Sequence, residues 1–283
     1  MDKYLKETLA AYSQAELTQV CMGLNKSYNI YDPDSLRWEK ISYALFKTSK
    51  DDIKNLQKHL LSNKVVNDLI FSYYICERVV KYYFIRSLKS KANNIVAFEM
   101  SIGDSRIDVC RINGSSYAYE IKTEYDTFDR LKSQMQDYSK SFEKVYVIVP
   151  ASRINDVTSH IPASCGIISY RAIKDGSLVF SYTRGAQKNL CDPNFCLNNL
   201  SSNEMSILLR MLKLKDCHTR NEKLAALTNY AQTKSIWTSY RALLKSKYYS
   251  QWKFLEEHFE EILPIDVQTF FSANLDPSLF YSK

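Results

Sequence analysis

The spacing of apolar residues changes twice along this chain, and those two changes restrict the folds open to it. Up to about residue 90 apolar side chains recur at helical intervals. Between Asn94 and Tyr182 several short segments alternate apolar with polar residues or run continuously apolar, and after Thr183 the helical spacing returns. A period of two laid on a helix, or of 3.6 laid on a strand, scatters its apolar residues around the element and leaves nothing to bury. The middle must therefore build a sheet and the flanks must be helical. At 283 residues and 45% hydrophobic content the chain can bury a sizeable core.

In the first flank the helical pattern breaks near Asn25 to Asp34 and near Thr48 to Asp52. Asp34 or Ser35 can cap the helix that carries Trp38, Ile41 and Leu45, and Ser49 can cap the next. The pattern from about Asn63 to Ser90 predicts one long helix. Its most apolar part, Val65 to Ile85, contains Asp68, Glu77, Arg78 and Lys81, so it reads as a buried helix and not a membrane span. Strands are predicted at Asn94 to Ile102, Arg106 to Ile112 and Tyr117 to Lys122, with Asn113-Gly114 as a hairpin turn. A helix over Thr127 to Phe142 follows, then a buried strand, Lys144 to Val149, and shorter strands at Gly166 to Tyr170 and Leu178 to Tyr182. Helices at Ser202 to Leu214, Arg220 to Tyr230 and Thr233 to Ile262 complete the chain. This divides it into an N-terminal helical region, 1–62, an α/β core, 63–183, and a C-terminal helical region, 184–283.

The net charge of +7 is unevenly distributed. Residues 1–92 carry 15 basic and 10 acidic side chains, residues 93–182 carry 10 and 11, and the remainder 13 and 10. Basic flanks around an acidic centre suit a protein that binds a phosphate polymer and coordinates a cation. Two acid-free stretches interleave cations with aromatic rings, as nucleic-acid interfaces do: Arg78 to Lys91, with Arg86 and Lys89, and Lys223 to Leu255, with Arg241, Lys245 and Lys247. A solvated basic helix face has the same composition. Seven scattered cysteines without a CxxC pair read as reduced thiols. The charged first residues lack a secretory apolar segment, which points to the cytoplasm. The four histidines have no sequence neighbours that suggest a triad or a metal cage.

Alternation places Asp108 on one face of its strand with Ile107 and Val109 on the other, and Glu120 and Lys122 on one face of the next. A strict two-residue turn at Asn113-Gly114 would set Asp108 opposite Tyr119. A three-residue loop or a bulge sets it opposite Glu120, and this longer connection is the one expected. Two adjacent carboxylates repel unless a cation lies between them, so the pair predicts a magnesium site that also uses the backbone carbonyl of Ile121, with manganese able to substitute. Lys122 would orient or activate the attacking water. Taken alone, the spacing also fits a surface Glu-Lys pair.

Asp108, eleven intervening residues and Glu120-Ile121-Lys122 resemble the PD-(D/E)XK restriction-endonuclease-like superfamily, although Arg106-Ile107 stands where its motif has a leading proline. Gln134-Met135-Gln136-Asp137-Tyr138 resembles the Gln-x-x-x-Tyr element of the RecB-like branch, which places Gln134 and Tyr138 on one helix face toward the site. The likeness spans about Phe98 to Tyr170. It implies a mixed central sheet flanked by helices, with an acid from the preceding helix, Glu77, or else Glu99 on the first strand. It also gives Asp126 and Arg130 a place at the start of the following helix or on phosphate. The function it implies is metal-dependent cleavage of DNA, in mobile-element conflict or repair. The alternatives are a nucleic-acid-binding protein of the same fold without turnover, and an assembly protein whose helical regions bind a protein partner or a second copy.

Overall fold

A computed structural model describes residues 1–89, 93–273 and 275–281. Six helices come first: α1 (Lys3–Leu9), α2 (Gln14–Ser27), α3 (Asp34–Ala44), α4 (Lys50–His59), α5 (Ser62–Tyr73) and α6 (Glu77–Lys89). The middle runs β1 (Ile95–Ile102), β2 (Ser105–Ile112), β3 (Ser116–Ile121), α7 (Leu131–Ser141), β4 (Lys144–Pro150), α8 (Ile154–Thr158), β5 (Gly166–Ala172) and β6 (Leu178–Arg184). Helices α9 (Pro193–Asn198), α10 (Ser202–Met211), α11 (Arg220–Thr233), α12 (Trp237–His258), α13 (Val267–Ala273) and α14 (Ser278–Tyr281) follow. The chain is thus mixed α/β, with the strands confined to the stretch where the apolar period is two.

Local chemistry explains most boundaries. Ser49 caps α4 by accepting the Asp52 N–H, as expected, and Ser13, Ser201 and Thr219 each close a capping box with the glutamate three residues on. Two expectations need correction. Neither Asp34 nor Ser35 caps α3: Pro33 occupies that position without a side-chain hydrogen bond, and Asp34 lies in the first turn. The single long helix from Asn63 to Ser90 is two helices, because Tyr74 turns extended at φ −145° and ψ 99° and the Cys76 N–H bonds back to the Tyr74 carbonyl. Apolar side chains on both sides of the break sustain the pattern, so periodicity does not reveal it. Ser90, and Lys91 of the first basic stretch, lie outside the described residues.

Residues pack into two compact units that do not follow the linear order. One comprises Met1–Tyr83, Lys174–Ser177 and Leu255–Lys283, and the other Phe84–Ile173 and Leu178–Phe254. In the first unit the helices close over apolar side chains such as Leu5, Ile41, Leu69, Ile70 and Phe270. Within it Asp266, 1% exposed, accepts hydrogen bonds from the hydroxyls of Tyr28 at 3.1 Å and Tyr281 at 2.9 Å. No helix among the described residues is long and apolar enough to cross a membrane.

The second unit holds a six-stranded sheet in the order β1-β2-β3-β4-β5-β6. The β3–β4 and β4–β5 pairs are parallel and the other pairs antiparallel. Strand β4, the Val-Tyr-Val-Ile-Val run, is buried on both faces, as a central parallel strand should be. One face receives α7. The other receives Phe84 from the C-terminal half of α6, whose ring lies 4.7 Å from that of Tyr119. Helices α9 to α12 form their own apolar cluster around Leu197, Leu208, Leu227 and Leu243, with Ile112 of β2 included.

Candidate active site

Pairing of Ile112 with Ser116 leaves Asn113-Gly114-Ser115 as a three-residue connection between β2 and β3. It is held by the Asn113 N–H to the Ser115 carbonyl at 3.0 Å and by the Ser115 N–H to Asn113 Oδ1 at 3.1 Å. The register running through Val109 and Tyr119 carries one step further to set Asp108 across from Glu120, as the longer connection requires. On the other side, the pairs Phe98 with Val109 and Met100 with Ile107 set Glu99 across from Asp108. Glu99 adopts φ +53°, a left-handed conformation that costs a non-glycine residue roughly 1 kcal/mol and is concentrated at functional positions. Its carboxylate receives Arg106 Nε at 2.5 Å, and one of its oxygens lies within 4.8 Å of one from Asp108. Asp108 Oδ2 accepts the Ile121 N–H at 2.7 Å.

Glu120 is 2% exposed and its carboxylate is held from three directions. Lys122 Nζ reaches Oε1 at 2.8 Å, Gln134 Nε2 reaches the same oxygen at 2.7 Å, and the Tyr138 hydroxyl lies 2.8 Å from Oε2. The same hydroxyl is 2.8 Å from the Arg106 carbonyl, so one proton serves two acceptors. Gln134 and Tyr138 reach Glu120 together because they stand four residues apart on the buried face of α7 with Leu131 and Met135. Burial, then the charge and hydrogen bond of Glu120 and the charge of Asp108, push the Tyr138 phenol far above its ordinary range. Burial works against the Lys122 charge, but Glu120, Asp108 and Asp126 outweigh it and raise its pKa. Lys122 therefore stays an ammonium near neutral pH. It can orient or stabilise negative charge, but it cannot take a proton from water.

Carboxylate and amide carbonyl oxygens are the donor types that hard divalent cations take. Glu99 and Asp108 bring carboxylate oxygens within 4.8 Å of each other, and on the same face of the sheet Gln134 Oε1 is buried without a hydrogen-bond partner although its amide nitrogen is fixed on Glu120. A carbonyl oxygen buried in this way is costly unless a cation or a donor meets it.

A family model for bacteriophage P4 protein cII matches residues 65–270, well over half of the chain. The chain belongs to the bacteriophage P4 protein cII family. Protein cII of Enterobacteria phage P4 itself is 24% identical over 94 residues, which covers 33% of this chain and 36% of that protein. Among solved structures, the SPO1766 protein of unknown function from Silicibacter pomeroyi aligns at 16% identity over 42% of this chain and 73% of its own. The TM-score of 0.30 is too low to define a shared fold.

In this cII-family chain the loop after Lys122 is organised by one local contact and one remote residue. Asp126 Oδ2 accepts both the N–H and the hydroxyl of Thr123 at 2.7 Å, so it braces this loop and does not cap the following helix. Helix α7 accordingly starts at Leu131 and not at Thr127, with Arg130 exposed at its N-cap and making no capping bond. Arg153 donates to the carbonyls of Thr123 and Asp126 at 2.7 Å and lies 4.0 Å from the centre of the Phe128 ring. Its role had no local signal, since its partners stand about thirty residues upstream. Glu77 belongs to the other compact unit, where it pairs with Lys81 at 2.5 Å. Arg78 lies in that unit too, 5.9 Å over the Tyr28 ring.

Of the expected phosphate-binding cations, two in the C-terminal stretch are engaged inside the unit. Arg241 pairs with Glu143 at 3.3 Å and Lys247 with Glu204 at 2.7 Å. Arg86 is exposed, and Lys89 and Lys245 are half-buried. All seven cysteines are free thiols, and burial raises the pKa of Cys21, Cys110 and Cys191 to about 12.

Proposed function

We propose that this cII-family protein hydrolyses phosphodiester bonds in DNA with a magnesium or manganese ion, on a restriction-endonuclease-like core. The reading is carried by one observation: a buried glutamate, Glu120, gathers Lys122, Gln134 and Tyr138 beside Asp108 on one face of neighbouring strands. Asp108 and Glu120, with the Ile121 carbonyl and Gln134 Oε1, would hold the ion, and Glu99 stands next to Asp108. Once bound, such an ion polarises a phosphoryl oxygen and lowers the pKa of the attacking water. Lys122, kept protonated, stabilises negative charge that develops at phosphorus. Tyr138 and Gln134 keep the Glu120 carboxylate in one orientation, and the Ile121 N–H does the same for Asp108. Arg86, Arg130 and Lys245 supply cations for the polymer backbone.

Cleavage of single-stranded and double-stranded DNA with magnesium or manganese, comparing wild type with Asp108→Ala, Glu120→Ala and Lys122→Ala, tests this. Each change is expected to reduce cutting at least about a hundredfold. Cutting without a divalent ion, or surviving all three changes, rejects the mechanism. A second reading, nucleic-acid binding or assembly without turnover, is favoured by the fact that both Glu120 oxygens already have protein donors, as a purely structural carboxylate would. DNA retention by wild type and Glu120→Ala alike, with no cutting, selects it.

A further inference from the structure

The face of the sheet away from Glu120 carries a buried charge, Arg111. Strand β2 alternates, so Arg111 points away from the Asp108 side together with Ile107 and Val109. Its register partners are Val96 on β1 and Tyr117 on β3, and Tyr117 in turn pairs with Lys144 on β4. Arg111 is 7% exposed, with its guanidinium carbon 3.8 Å from the centre of the Tyr117 ring and 6.0 Å from that of Tyr119. Nε is buried without a hydrogen-bond partner, and the guanidinium forms no ion pair among the described residues. The Tyr119 hydroxyl is buried without a partner as well. Lys144 Nζ stands 5.9 Å from the Tyr117 ring.

A guanidinium removed from water with no counter-charge is destabilising, and stacking on phenol rings returns only part of that cost. Stacking does leave the in-plane N–H groups of arginine pointing outward, in the fork that matches an oxyanion. The groups around it are donors. Burial raises the phenols of Tyr119 and Tyr182, more than Arg111 lowers them, so both keep their protons. The acid just before β4, Glu143, is met by Lys188, Arg241 and the Ser116 N–H. Tyr182 is 55% exposed, which gives a small anion a way in.

We propose that Arg111 anchors an oxyanion site that takes a phosphate group, with the hydroxyls of Tyr119 and Tyr182 as further donors and Lys144 as a second cation. The site lies on the face away from Glu120, so it stands or falls independently of the nuclease reading. The phosphate can be free or can end a nucleic-acid strand, and the chemistry of the site is the same for both.

The test is thermal unfolding of the full chain in sodium phosphate against sodium chloride at equal ionic strength. Wild type is expected to gain Tm with phosphate in a saturable way, Lys122→Ala to keep that gain, and Arg111→Met to lose it. Should Arg111→Met not fold, Lys144→Met and Tyr182→Phe are each expected to raise the half-saturating phosphate concentration about tenfold. A 5′-phosphorylated dinucleotide that acts at lower concentration than inorganic phosphate assigns a strand end, and the reverse order assigns the free anion. Equal Tm in phosphate and chloride, or an undiminished response in the Arg111, Lys144 and Tyr182 variants, overturns the proposal.

Discussion

Removing a single oxygen tests whether Glu120 is held as described. Tyr138→Phe deletes the hydroxyl that lies 2.8 Å from both Glu120 Oε2 and the Arg106 carbonyl, while the ring, fully buried on α7, stays in place. Ring volume is nearly unchanged, so no cavity cost enters. A hydrogen bond to a charged group contributes about 1.5–3 kcal/mol net, and here a second, part-buried acceptor also loses its donor. The expected loss is about 2–3 kcal/mol, or roughly 5–10 °C in Tm for a unit of this size. Urea unfolding of wild type, Tyr138→Phe, Glu120→Gln and the double variant reads both the loss and the coupling. Residues in direct contact should couple by about 1 kcal/mol or more. A Tyr138→Phe protein within about 0.5 kcal/mol of wild type, or strictly additive single changes, would refute the idea that the hydroxyl fixes this carboxylate.

Three other outcomes follow from particular contacts. Burial pushes the Asp266 carboxyl up to about 6, against the hydrogen bonds from Tyr281 and Tyr28 and the charges of Arg78 and Arg37. A carboxyl raised in the folded state favours folding when protonated, so this contribution is complete below about pH 4 and is lost as pH rises through 6. The stability of wild type relative to Asp266→Asn should therefore fall by up to about 3 kcal/mol between pH 4 and 7, and a difference independent of pH would contradict it. Gly166 pairs with Tyr146 on β4, and a Cβ there would lie 2.3 Å from the Tyr146 ring and 2.8 Å from the Ala186 nitrogen. Gly166→Ala should cost about 1–3 kcal/mol in thermal unfolding. Ser201→Ala opens the capping box of α10 and should cost about 1 kcal/mol in the same assay, with a change below about 0.3 kcal/mol counting against it.

Backbone periodicity decides only what lies along one element, and that much could be read from the chain alone. Alternation separated Asp108, Glu120 and Lys122 from Ile107, Tyr119 and Ile121, helical spacing put Gln134 and Tyr138 on one face, and Asn113-Gly114 located the hairpin. Packing decided the rest. The break at Tyr74 leaves the apolar pattern uninterrupted, so it emerges only when α5 and α6 are placed. The loop carbonyls of Thr123 and Asp126 are held by Arg153, which arrives from the turn after β4 about thirty residues later. Arg111 reads as an ordinary polar residue in an alternating strand, yet it ends up buried over Tyr117 with Nε unpartnered. Chain-local rules assign a side chain to a face; whether that face meets water, a donor or another ring depends on segments distant in sequence, and the energy of a charge is set by that meeting.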